Sequence, residues 1–448
     1  MHLHRKLICI AAPVVILVAS ILPSANAATP KLGGACSKVG SFGDAPKERF
    51  ICVKSGKKLV WGVWKGPSTP SPTPTPTKIS VPAKVEFKAP IPITLPIATS
   101  NDANAITFTN IMDHIVDIPK VAWQKVQDVI AGNPAVIVPH DIFVGPNTQM
   151  TLTGGMAQAE SIFARSTRLW SGFSQTKYDS IYIFNITDEP WAAQKFHDLA
   201  AMRNYTAELT GGFANVIRQA CTQPSQTPGG YASQIPLASS CHGASAGPIT
   251  ESDDSAEEFG EGDLQHPDTY GGIFGHEYIH TVQAAQWIGN CKQHNQDNGC
   301  SRGGLGQMFT RCWINEGQPQ SIGLMVAATD YQSYIAMRSN GKDSSQHVTD
   351  YSEASLKHYL FDQSAPSCYQ NGALYQLGYG PGAMATEILT AVAGPQSTMA
   401  LYALGADGQD FPTAFQNVYG LSWSDGSTLL AKVLAAEYAR CRDDACKN

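Results

Sequence analysis

The sequence predicts an α+β architecture, and three features support that prediction. Between residue 101 and about residue 270, segments with apolar residues at helical spacing alternate with β-branched runs. After about residue 271 the helical spacing dominates. Ahead of both, a stretch rich in Pro, Ser and Thr cuts off a short segment that carries two cysteines. The expected chain is a small stapled module, a tether, and one large domain with a mixed α/β first half and a mainly helical second half.

Residues 1–27 read as a signal peptide. His4, Arg5 and Lys6 precede an apolar run from Leu7 to Leu22, and Ala25-Asn26-Ala27 supplies the small-x-small cleavage pattern. The run is short for a bilayer span, and nothing later approaches roughly 18 apolar residues in a row. The expectation is a secreted, extracellular protein, either free or cell-surface associated, with no membrane span after cleavage. Cysteine usage agrees. Of 11 cysteines, Cys9 falls in the signal, leaving Cys36, Cys52, Cys221, Cys241, Cys291, Cys300, Cys312, Cys368, Cys441 and Cys446. An even number in an exported chain points to disulfides. Pairing neighbours (36–52, 221–241, 291–300, 312–368, 441–446) closes the shortest loops, while other connectivities stay open. No Cys-x-x-Cys occurs, so cysteine-bound zinc is not indicated. The net charge of −6 becomes about −8 once Arg5 and Lys6 leave, and there is no basic tract. Nucleic acid is therefore not an expected partner. Nothing in the sequence specifies an oligomeric state.

Residues 28–65 form the small module. Cys36, Cys52 and Trp61 resemble the Cys-pair modules attached to many secreted bacterial proteins. So few residues rarely fold without a staple, which a 36–52 bridge would provide. The lysines and tryptophans here suit contact with cell-wall material; a passive spacer is the plainer reading. Residues 66–100 read as a linker, because "GPSTPSPTPTPTKISVPAK" alternates Pro with Ser and Thr and favours an extended tether.

Residues 101–448 form the large domain. The spacing predicts helices over 115–130 and 157–173, and strands over 135–144 and 179–186. Next comes "CHGASAGPITES" (241–252), whose small residues suit an exposed edge strand able to align an extended peptide. The run "ESDDSAEEFGEGD" (251–263) holds seven carboxylates. A solvated loop is the expectation, with a calcium site or attraction of basic substrates as alternatives, though EF-hand spacing is absent.

The segment "YGGIFGHEYIHTVQAAQW" (270–287) carries the chemistry. On a helix, His276 and His280 lie one turn apart on one face and can present two imidazoles to one ion. Glu277 points about 100° away, in reach of a water beside that ion. Ile273, Phe274, Ile279, Val282 and Ala285 supply an apolar stripe. A hydrolytic zinc site takes three protein ligands and keeps a position open. Glu316, in "RCWINEGQPQSIGLM" (311–325), is the candidate third ligand. Asn315 is expected to cap a second helix there, with Pro319 in its first turn, where a missing N–H costs little.

"GHEYIHTVQ" followed by "WINEG" resembles the gluzincin metallopeptidases of the peptidase MA-like group. The likeness covers roughly residues 240–435, including "ALYQLGYGPGAMATEILTAVAG" (373–394) and "FQNVYGLSW" (415–423). It implies a zincin-like catalytic domain, with His276, His280 and Glu316 as zinc ligands and Glu277 as general base. Pro319 departs from the alanine that many relatives carry. Gln320, one turn beyond Glu316, is placed to accept from a ligating histidine. The metzincin pattern is excluded, because positions 283 and 286 are both Gln. The resemblance also implies an oxyanion donor, for which Tyr375 comes first and Tyr379 second, with His266 and His358 behind. The activity so implied is hydrolysis of peptide or protein substrates. Two other readings stay open: a zinc amidase acting on cell-wall material, and a non-enzymatic zincin-like binding module.

Overall fold

The computed structural model describes residues 30–39, 41–45, 48–63, 89–97, 105–205, 217, 244–248, 254–260, 271–287, 311–338, 350–362 and 377–440. The chain divides into two compact units, Met1–Ala83 and Lys84–Asn448.

The first unit contains an antiparallel sheet of β1 (Phe42–Ala45), β2 (Glu48–Ser55) and β3 (Lys58–Val63). Residues 33–36 bond to the outer edge of β3, through Gly33 and Cys36 N–H to the Trp61 and Leu59 carbonyls. Cys36 and Cys52 are joined, with Cα atoms 5.9 Å apart. With the cysteines separated by 16 positions, closing that loop is worth about 3 kcal/mol in the chain-entropy account. Each of the other expected cysteine pairings involves a residue outside the described ones.

The second unit is a mixed α/β assembly. Its sheet runs β4 (His140–Val144), β5 (Asp179–Phe184), β7 (Ser255–Gly260), β6 (Ala244–Pro248). The first three strands are parallel, and β6 is antiparallel to β7 at the edge. All six β5 residues are buried, as a parallel strand covered on both faces requires. Ile181, Ile183 and Phe259 face α2 (Gly155–Leu169) and α4 (Gly272–Ala285), with Phe259 stacked on Phe274 at 4.3 Å. Tyr182 and Phe184 face α3 (Glu189–Arg203), where Ala192, Ala193 and Phe196 meet them. The strand predicted over 135–144 begins only at His140, and the helix predicted over 115–130 is α1 (Ile118–Gly132). Of the stretch 66–100, residues 89–97 lie against the core of this unit, and the Ile97 N–H bonds the Val418 carbonyl.

Two expectations need correction. The acidic run is not a solvated loop where it is described: residues 255–260 form an inner strand, and Glu257 is 1% exposed. Ladder hydrogen bonds to β5 and β6 and the burial of Ala256 and Phe259 outweigh the cost of taking in the carboxyl. The second correction concerns α5, which spans Cys312–Ala327 and has Arg311 at its N-cap. Asn315 is therefore no cap, and Pro319 sits mid-helix rather than in the first turn. A mid-helix proline leaves the carbonyl four residues back without its helical donor. Here that carbonyl, on Asn315, receives the Gln283 Nε2–H from α4 at 3.4 Å.

After α5 the described chain is helical: α6 (Tyr331–Arg338), α7 (Glu353–Asp362), a π-turn (Gly378–Gly382), α8 (Ala383–Ala393), α9 (Pro395–Ala406), α10 (Phe411–Tyr419) and α11 (Trp423–Arg440). A buried ion-pair cluster ties three of these together. Arg338 of α6 makes a bidentate pair with Glu387 of α8 at 2.7 and 2.8 Å and reaches Glu437 of α11 at 3.2 Å. Among the described residues no helix is long and apolar enough to cross a membrane.

Candidate metal centre

The site is built where α4 and α5 cross. Gly275 on α4 and Gly323 on α5 meet backbone to backbone: a Cβ on Gly275 would lie 2.6 Å from the Gly323 carbonyl oxygen, and one on Gly323 would lie 2.5 Å from the His276 nitrogen. Only glycine at both positions permits that approach. The consequence is direct, because His276 follows Gly275 and Glu316 lies two turns before Gly323 on the same helix.

His276, His280 and Glu316 converge. His276 Nε2 and His280 Nε2 are 3.2 Å apart, and Glu316 Oε2 lies 3.4 and 3.3 Å from them. All three residues are buried. Four ligands set about 2.05 Å from a tetrahedral centre are about 3.35 Å apart, so these three atoms outline one face of such a tetrahedron. This buried triad could hold a metal ion, and among the described residues it is the one group of at least three metal-ligating side chains. Glu277 is buried beside it, with Oε1 4.0 Å from His276 Nε2.

The outward nitrogens are fixed as well. His276 Nδ1 is 3.2 Å from Gln320 Oε1, and His280 Nδ1 is 2.9 Å from Gln283 Oε1. An amide oxygen only accepts, so both Nδ1 atoms carry hydrogen and both Nε2 atoms face inward. Gln283 is itself pinned. Its two Nε2 hydrogens go to Gln318 Oε1 at 2.7 Å and Tyr402 Oη at 3.0 Å, with the Asn315 carbonyl a longer, shared contact at 3.4 Å. Gln318 Nε2 passes the chain on to Thr398, whose hydroxyl donates to the Pro395 carbonyl. Gln283 and Gln318 were not foreseen as site residues. The available signal was a glutamine three positions after His280, which is the spacing that brings two side chains together on a helix.

Electrostatics hold the cluster together. Burial alone would lower the pKa of His280, but the adjacent Glu316 carboxylate and its hydrogen bond raise it to about 9. Burial would likewise raise Glu316, yet the imidazoles of His280 and His276 hold it far below the usual carboxylate range. An entering cation takes the place of a proton on this cluster, since imidazole ligates in its neutral form.

Tyr379, on the π-turn, donates its hydroxyl to Glu316 Oε2 at 3.0 Å and lies nearly parallel to the His276 ring at 5.8 Å. Tyr375, ranked ahead of it from the sequence, lies outside the described residues, as does His266. His358 is exposed on α7 and is not part of the cluster. Comparison with protein-family models, curated proteins and solved structures returns no match for this chain.

Proposed function

We propose that the chain is a secreted zinc-dependent peptidase of the gluzincin type, with His276, His280 and Glu316 holding the ion and Glu277 acting as general base. The observation that carries this reading is the near-equilateral triangle of inward-facing donor atoms with a second, non-ligating carboxylate alongside. Two imidazoles and one carboxylate form a donor set that zinc takes in hydrolytic sites, and fixed Nδ1–H partners are the usual support for such ligands. Bound zinc supplies Lewis-acid polarisation of a carbonyl and acidifies water close to it.

The chain's own residues then divide the work. Glu277 accepts a proton from water as its oxygen forms the new bond to the carbonyl carbon, and passes that proton to the amine nitrogen as the C–N bond breaks. Burial keeps Glu277 out of competing bulk water. Tyr379 is the phenol at the site among the described residues, and it takes the role of donor to a developing oxyanion. Strand β6 is the edge strand of the sheet among the described residues and lies beside α4, and an extended peptide would align along it.

The test is Glu277→Gln in the exported chain. Zinc should remain at one ion per chain while peptide hydrolysis falls by at least roughly 1,000-fold. Undiminished hydrolysis by that variant removes the mechanism. Digests of a peptide library run beside release of cell-wall fragments separate peptidase from amidase action.

A further inference from the structure

Asn315 lies in the first turn of α5, directly before Glu316, and is 2% exposed. Burying an amide side chain costs free energy unless its donors and acceptor find partners. Its Nδ2 donates to Glu316 Oε1 at 3.3 Å. A carboxylate only accepts, so the end of the amide that faces Oε1 is the NH2 group. The two oxygens of Glu316 are thereby set apart. Oε2 makes the close approaches to both imidazoles, at 3.4 and 3.3 Å from the Nε2 atoms of His276 and His280. The Tyr379 hydroxyl also reaches Oε2, at 3.0 Å. Oε1 is turned to Asn315 instead. The stem of Glu316 is confined as well, since a Cβ on Gly378 would lie 2.7 Å from the Glu316 Cβ.

A carboxylate that gives both oxygens to an ion fills two positions around it. In a site with three protein ligands, the second of those positions is the one that water needs. We infer that Asn315 is a positioning residue whose amide holds Oε1 aside, so that Glu316 offers the ion Oε2 alone and a position stays open. The inference rests on the metal reading above. Tyr379 does not duplicate this role. Its hydroxyl bonds the inward oxygen, not the outward one, and one phenol O–H serves one acceptor at a time. When that O–H goes to a developing oxyanion it leaves Oε2, and the Asn315 bond to Oε1 keeps the carboxylate aimed. A charge-assisted bond from a buried amide, on a residue next in the chain, suits such a fixed restraint.

The test loads the exported chain with Co2+, whose visible bands weaken as its coordination number rises. Asn315→Leu and Asn315→Ala differ in volume and share the loss of the N–H donor. Tyr379→Phe keeps the ring and removes only the hydroxyl. Wild type should bind one Co2+ per chain and show the strong bands of a four-coordinate ion. Both Asn315 variants should still bind one Co2+, with visible absorbance per bound ion lower by at least about twofold. Infrared difference spectra of loaded minus metal-free protein should show the symmetric and antisymmetric carboxylate stretches moving closer together, as both oxygens of Glu316 engage. Tyr379→Phe should keep the wild-type absorbance. Near-UV circular dichroism of the metal-free forms checks that each variant is folded. No Co2+ bound by the wild-type chain would overturn the metal reading and this inference together. One bound Co2+ with an unchanged spectrum in either Asn315 variant overturns the inference alone. So does an equal loss of absorbance in Tyr379→Phe, which would place the restraint on the phenol.

Discussion

Replacing Gly323 by alanine puts a methyl group where two helices touch backbone to backbone. That carbon would sit 2.5 Å from the His276 nitrogen and 2.8 Å from the Gly275 carbonyl carbon, whereas ordinary contact begins near 3.4 Å. Neither obstacle is a flexible side-chain end, so relief requires α4 and α5 to part by about 0.9 Å. Glu316 travels with α5 and the two histidines with α4. The His276–Glu316 separation of 3.4 Å therefore opens to roughly 4 Å, beyond the ±0.2 Å or so that ligand distances tolerate. Expected costs are about 1–3 kcal/mol of stability from overpacking and a loss of at least roughly 100-fold in zinc affinity. Gly132→Ala, at the end of α1 with nothing within 4 Å of the added carbon, is the control and should be neutral or slightly stabilising. Zinc titrations against a competing chelator, with urea unfolding of the metal-free forms, supply both quantities. Wild-type zinc affinity in Gly323→Ala would show that the helix contact does not set the ligand spacing.

Three further outcomes are expected. Gln283→Leu removes both the acceptor on His280 Nδ1 and the donor on the Asn315 carbonyl, so zinc affinity should drop about 10- to 100-fold, read by chelator competition. Arg338→Met leaves Glu387 buried without its cation and weakens the hold on Glu437; urea unfolding should show a loss of about 3–5 kcal/mol, with zinc stoichiometry of the folded protein unchanged. Burial and the neighbouring Asp179 carboxyl raise the pKa of Glu257 well above its ordinary 4.5, with Tyr278 and Glu277 of α4 also nearby and His140 close to Asp179. The folded chain thus keeps a proton that the unfolded chain sheds, and stability should fall as pH rises above about 4.5, by at most about 1.4 kcal/mol per unit for one proton; Glu257→Gln should flatten that slope in urea midpoints from pH 5 to 8.

The parts of this molecule visible in the sequence are those governed by one local period. His276 and His280 share a face because four residues make about one turn, and that holds whatever surrounds the helix. The alternation of helix and strand before residue 271 is legible for the same reason. What escaped the sequence depends on long-range partners. Pro319 argued for a helix starting near Glu316, because a proline inside a helix leaves a carbonyl bare; it could not reveal that Gln283, 36 residues earlier, would supply the missing hydrogen bond. Across 251–263, which contains β7, seven carboxylates in thirteen residues spoke for solvent, and composition gave no hint that ladder bonds on both sides would hold Glu257 inside. Gly378–Gly382 forms a π-turn, a local geometry that helical spacing does not signal, and that turn places Tyr379 against Glu316.

These long-range contacts also bear on what the His-Glu-x-x-His pattern can do in this chain. A histidine pair and a carboxylate can serve as a buried ion pair, and the raised His280 and lowered Glu316 pKa values would suit that role equally well. An ion pair, however, needs only one close approach. Here Glu316 Oε2 is nearly equidistant from two Nε2 atoms, which are themselves as close to each other as to the carboxylate. Two imidazole nitrogens 3.2 Å apart gain nothing from that proximity unless something positive lies between them or a proton is shared. Separate amide acceptors on Nδ1 of both rings spend side-chain order to aim both lone pairs at a common point. A cation at that point would make use of every one of these features, whereas a simple two-partner ion pair would call on neither the second ring nor its Gln320 contact.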